Sequence, residues 1–204
     1  MISRRAFVCG LPLAAVAACA APQTSSPPDM IAAKRFAGPG PRVLRLFTMR
    51  SVSSGGGAHT SLLIDAPGER IIFDPAGSFR HSTIAERNDV LFGVTPEVEA
   101  YYISYHARET YYVLGQTLPV SDAVAEQALQ LALANGPVAR SFCTSATSGL
   151  LRKLPGLSSL PQTFFPNTLA DAFGQLPGVT TREWRENDPD NKALALAEIE
   201  MQLR

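Results

Sequence analysis

The segment SFCTSATSGLL, residues 141–151, sets one cysteine, Cys143, ahead of a run of small residues. Ser141 can cap a helix whose first turn holds the thiol and whose body runs to Leu154, before Pro155-Gly156. A thiol so placed lies among unpaired N–H groups at the positive end of the helix dipole, which stabilise a thiolate and an oxyanion alike. Ser145, Ala146, Thr147, Ser148 and Gly149 cost an isolated helix about 2 kcal/mol against alanine, yet they permit close packing on a sheet. His59 follows Gly55-Gly56-Gly57 at the head of a strand. Glycines there point to close approach of backbone or ligand. The plainer alternatives are a buried cysteine acting as a small hydrophobe and an exposed histidine at a strand end.

The redox setting decides how unusual that thiol is. The chain opens MISRRAFVCGLPLAAVAACAAP, a basic start followed by an apolar run too short to cross a bilayer, which is the layout of a secretory signal over residues 1–18. Arg4 and Arg5 match the twin-arginine export pattern, and Val16-Ala17-Ala18-Cys19 resembles a lipobox whose Cys19 is diacylated. Residues 19–41, rich in Pro, Ser, Ala and Gly, read as an extended lipidated tether that the fold can dispense with. Of the three cysteines one leaves with the signal and one is acylated, so Cys143 has no internal disulfide partner in an oxidising compartment. Loss of Arg4 and Arg5 from 18 basic residues that balance 18 acidic ones leaves a slightly acidic chain, with no sign of a nucleic-acid partner.

Residues 42–204 fit one domain, with a core large enough to need no disulfide staples. Alternation predicts strands over 42–49, 58–64, 70–74 and 110–118, the second and third joined as a hairpin about Ala66-Pro67-Gly68-Glu69. Thr95-Pro96-Glu97 starts one helix, and Ser121-Asp122 caps another that Asn135-Gly136-Pro137 stops. The hairpin puts Asp74 nearly opposite His59, and a slip of one residue would turn it to the other face. Asp74 is equally read as an Asp-Pro turn residue accepting local N–H bonds.

The Gly-rich approach to His59, the hairpin ending in Asp74, and Cys143 opening a small-residue helix resemble circularly permuted papain-like hydrolases. These are relatives of NlpC-type cell-wall peptidases and of lecithin:retinol acyltransferase. The resemblance covers residues 43–155 and rests on pattern and element order, with the histidine strand ahead of the cysteine helix. It implies an α+β, permuted papain-like fold: an antiparallel sheet packed on a central helix that carries the cysteine. It further implies Cys143 as nucleophile, His59 as general base and Asp74 as the group orienting the imidazole. That third position departs from the His, Asn or Gln often found in the family.

His81 and His106 follow no metal-ligand spacing with Cys143 and read as surface or loop residues, so neither a metal nor another cofactor is expected. Asn187-Asp188-Pro189-Asp190 reads as the cap of a final helix from Asn191, and the tyrosines at 101, 102, 105, 111 and 112 as core and groove wall. The expectation is a lipid-anchored cysteine hydrolase on the periplasmic side of a bacterial envelope, cleaving an amide bond in a peptidoglycan peptide or another envelope substrate. Its rivals are an acyl hydrolase or acyltransferase on the same fold, and a noncatalytic binding or scaffold lipoprotein.

Overall fold

The computed structural model describes residues 25–202, so Arg4, Arg5 and Cys19 lie outside the described residues. Six helices are present among them: α1 (Pro28–Lys34), α2 (Pro96–His106), α3 (Asp122–Asn135), α4 (Cys143–Leu151), α5 (Pro166–Gly174) and α6 (Lys192–Gln202). The strands are β1 (Val43–Ser51), β2 (Gly57–Asp65), β3 (Arg70–Phe73), β4 (Glu86–Arg87), β5 (Val90–Leu91), β6 (Tyr111–Pro119) and β7 (Thr180–Trp184). They form one antiparallel sheet in the order β4-β5-β3-β2-β1-β6-β7, so the architecture is α+β. No helix among the described residues is long and apolar enough to cross a membrane.

Period-two alternation divides the core between the two faces of this sheet. Leu44, Leu46, Leu62 and Ile64 point to one face and pack with α3, α4 and α5. Phe47, Met49 and Leu63 point to the other, under α2 and α6. Glu99 on α2 pairs with both the half-buried Arg45 of β1 and the buried Arg70 of β3, which pins α2 to its face. Caps are where the residue types put them: Thr95 Oγ1 accepts from Val98 N–H at 3.3 Å and Ser121 Oγ from Val124 N–H at 3.3 Å. Asn191 Oδ1 accepts from the N–H groups of Ala193 and Leu194, so Asn191 itself caps α6.

Two expectations need correction. Residues 19–41 are not an extended tether throughout, since α1 forms within them. Ser26 is buried, exchanges hydrogen bonds with Glu86 through its N–H and its Oγ, and extends the β4 edge. Phe36 O accepts Arg70 N–H at 2.7 Å, and Met30 and Ile31 pack on the core. Residues 25–41 therefore pack on the domain, because unpaired groups at the sheet edge recruit their backbone. Ser141, in turn, does not cap the cysteine helix. It sits at φ 69°, and the N-cap position falls to Phe142, which makes no side-chain cap bond.

Candidate active site

The site grows from an early stop in one ladder. β3 pairs with β2 only from Leu62 to Asp65, and the chain leaves the sheet after Phe73. Beyond Leu62, toward His59, that edge of β2 lacks a neighbouring strand, and the N-terminus of α4 takes the place. Thr60 N–H, which a longer β3 would have engaged, lies toward the Cys143 sulfur and helps lower its pKa. Thr60 Oγ1 also donates to Thr144 Oγ1 at 3.2 Å, and Thr144, Thr147 and Ser148 are buried. The small side chains of α4 therefore do what their types allow, bringing the helix close against β2.

His59 and Asp74 meet on the α2 face. His59 Nε2 lies 2.7 Å from Asp74 Oδ1, with the carboxylate almost completely buried. Continued by one residue, the observed β2–β3 register sets Asp74 across from Ser61 rather than from His59. The difference of two residues preserves the face, so the pair forms on the diagonal. Asp74 also opens a turn, its main-chain carbonyl accepting Gly77 N–H at 3.0 Å, but its carboxylate takes no local N–H as the turn reading required: Oδ1 serves His59 and Tyr102, and Oδ2 has no partner. That turn closes tightly over the carboxylate: a Cβ on Gly77 would lie 1.8 Å from Asp74 Oδ2. The glycines ahead of His59 serve a close approach of backbone. A Cβ on Gly57 would fall 2.6 Å from Pro166 Cβ at the start of α5, and Asn167 Nδ2 donates to Gly55 O at 2.9 Å.

With Nε2 on Asp74, the other ring nitrogen is left for the Cys143 sulfur, which lies near enough to raise the pKa of the ring. Burial by itself would lower the imidazole pKa. The hydrogen bond and charge of Asp74, followed by those of Cys143, outweigh burial and raise it to about 10. Burial would likewise raise the thiol. His59, Thr60 N–H and the Thr144 hydroxyl together bring it down to about 7. With the thiol near 7 and the imidazole near 10, a thiolate facing an imidazolium is well populated at neutral pH, and it is the form a sulfur nucleophile requires. Asp74 is held below its usual range by the His59 hydrogen bond and charge despite its burial.

Two residues of α2 complete the site and were missed in the sequence. Tyr102 is buried, and its Oη lies 2.8 Å from both Asp74 Oδ1 and Ser61 Oγ; burial beside Asp74 keeps the phenol protonated. His106, expected as a surface or loop residue, is instead buried. Its ring stacks near His59 with centroids 6.2 Å apart, and its Nδ1–H donates to Tyr102 O at 2.8 Å. Burial depresses its pKa to about 4, so it stays neutral. The available signal was the i, i+4 spacing of Tyr102 and His106, which places both on one helix face. His81 lies outside the site, its Nδ1 2.8 Å from Thr83 Oγ1 in its own loop.

A cavity of about 260 Å³ opens beside His59, lined among others by Tyr105, His106, Arg108, Tyr111 and Lys192. Cys143 lies outside its lining. On the thiol side, Phe142 and Phe164 meet edge to face with centroids 5.3 Å apart, and both are about half exposed beside the more exposed Phe165. Among the described residues no group of His, Cys, Asp and Glu side chains is arranged to hold a metal ion. Comparison with protein-family profiles, with curated proteins and with solved structures found no match to this chain.

Proposed function

We propose that the protein is a thiol hydrolase of permuted papain-like organisation that cleaves an amide bond, anchored by lipid at Cys19 on the periplasmic side of a bacterial envelope. The observation that carries the reading is the line Cys143–His59–Asp74, with a depressed thiol, a raised imidazole and a buried carboxylate. Cys143 attacks the carbonyl carbon while first-turn N–H groups of α4 receive the negative oxygen. His59 then gives its proton to the departing nitrogen, and Asp74 keeps the ring in register. Water, deprotonated by His59, hydrolyses the thioester and frees the acid. A peptidoglycan peptide is the substrate class that the export and lipidation signals favour.

The test of the chemistry is alkylation of Cys143 by iodoacetamide at mildly acidic pH, with His59→Ala as the comparison. Rapid labelling that this substitution slows supports the hydrolase. Equal, slow labelling of both returns Cys143 to a buried thiol in a scaffold protein. The test of location is fractionation of cells carrying Arg4→Lys with Arg5→Lys, or Cys19→Ala. The first should hold precursor in the cytoplasm, and the second should release the domain from membranes. Unchanged export and anchoring would reject the lipoprotein.

A second reading has its own observation. Phe142, Phe164 and Phe165 form an exposed aromatic surface on the thiol side, where the acyl half of a substrate would rest. A fatty or otherwise apolar acyl group suits that surface, so acyl hydrolysis or transfer is the alternative. Hydrolysis rates across a series of acyl chain lengths separate the two.

A further inference from the structure

Resting on the thiol-hydrolase reading, we infer that the cavity beside His59 is the leaving-group site and selects amines that carry a free carboxylate, such as an amino acid or a short peptide. The side follows from the chemistry. The imidazolium must deliver its proton to the departing nitrogen, so the leaving group lies against His59, while the acyl group stays with the sulfur. The cavity meets that requirement, since His59 forms part of its wall and Cys143 does not. About 260 Å³ accommodates one small residue or two, below the range of drug-sized sites.

The charges of the wall define the class. Arg108 and Lys192 bring two cations to the lining against the single carboxylate of Asp190, which is engaged by Thr110 through its hydroxyl and N–H. The Arg108 side chain is only 8% exposed, its Nε has no hydrogen-bond partner, and its ion pair, with the exposed Asp188, is a long one at 3.7 Å. A buried guanidinium with bonding capacity to spare favours an anion. Lys192 is steadied by Ser78 Oγ at 3.1 Å and by the Tyr105 ring at 4.8 Å, both neutral partners. His106 adds no charge, being neutral, and the His59 imidazolium nearby reinforces the positive side.

In the resulting step the Cys143 thiolate forms an S–C bond to the carbonyl carbon, the C–N bond breaks, and the nitrogen takes the His59 proton. The amino acid leaves with its carboxylate held by Arg108 and Lys192. One water then converts the thioester to the free acid and restores thiolate and imidazolium.

Binding is measured apart from turnover, by titrating the 15N-labelled protein with glycylglycine and with glycylglycinamide, which lacks the carboxylate. Glycylglycine should shift the amide signals of Arg108, Tyr111 and Lys192, and the amide should not. Lys192→Met and Arg108→Gln should each weaken the dipeptide about tenfold, the loss of one charged contact. The exposed Lys192 carries the result should the buried Arg108 substitution impair folding. Equal shifts from the two compounds, shifts elsewhere only, or unchanged affinity in a folded Lys192→Met protein would overturn the assignment. A missing His59 effect on Cys143 alkylation would instead strike the hydrolase reading and leave a carboxylate-binding cavity standing.

Discussion

Tyr102 rests its hydroxyl on Asp74 Oδ1 at 2.8 Å, the same oxygen that holds His59 Nε2 at 2.7 Å. One carboxylate oxygen thus ties the base to the centre of α2. Tyr102→Phe should cost about 1–2 kcal/mol in urea unfolding, the price of one buried hydrogen bond to a charged group. It should also slow Cys143 alkylation several-fold at neutral pH, because the imidazole loses its fixed support. A stability loss with unchanged alkylation would assign Tyr102 to packing alone.

Thiol and imidazole titrate as a pair, and the pH window follows from both. The thiolate appears as pH rises through about 7, and the imidazolium is lost as it passes about 10. Hydrolysis of a reporter ester should therefore rise through the first value and fall through the second. His59→Ala should abolish hydrolysis and move the onset of alkylation toward the ordinary cysteine range.

Acid stability isolates His106. Its folded pKa near 4, against 6.5 for a free imidazole, makes the unfolded chain the better proton acceptor between those values. The stability it contributes is complete above 6.5 and is lost progressively as pH falls toward 4, on the order of 3 kcal/mol for a buried ring. Asp74, also depressed, adds to the loss at lower pH, whereas Glu86, raised to about 7 by burial, acts in the opposite sense. The difference between wild type and His106→Gln should carry the slope, measured by denaturant melts at several pH values. Parallel curves would refute it.

Gly77→Ala is expected to disturb the site directly. Its Cβ would meet Asp74 Oδ2 at 1.8 Å, so either the turn or the carboxylate must move. Alkylation of Cys143 should fall toward the His59→Ala rate. Wild-type labelling in a folded variant would show that the turn does not position Asp74.

Removal of the chain before Arg42 should destabilise the domain, contrary to what composition alone implies. The backbone bonds of Ser26 and Phe36 and the packing of Met30 and Ile31 would be lost. A loss of about 2 kcal/mol, or roughly 4–8 °C in Tm, is expected against a chain begun at Ala20. Identical melting would return the segment to a tether.

Legibility followed the range of the interaction that fixes each feature. Alternation in RVLRLFTM and in residues 58–64 is local, and both strands lie close to where it put them. The face shared by His59 and Asp74 was readable because parity survives a shift of two, whereas the register itself depends on tertiary packing. The two-residue strands β4 and β5 carry no period at all, and the largely exposed TTREW of β7 lacks a buried side to alternate against. α1 was hidden because Pro27-Pro28 and the serines before them resemble a linker until the edge that recruits them is known. His106 was missed because its burial comes from α2 closing over the sheet, a contact that no short window of sequence contains.

The stand-in role of α4 at the open edge of β2 also governs when this thiol becomes dangerous. His59 and Asp74 come together through a hairpin, a short loop that closes early, while Cys143 must cross a far longer stretch of chain to reach Thr60. Until that late docking the cysteine has neither imidazole nor Thr60 N–H, and it behaves as an ordinary, mostly protonated thiol. Nucleophilicity is thus switched on by the completed fold, and before that docking the sulfur reacts slowly with oxidants and with its neighbours.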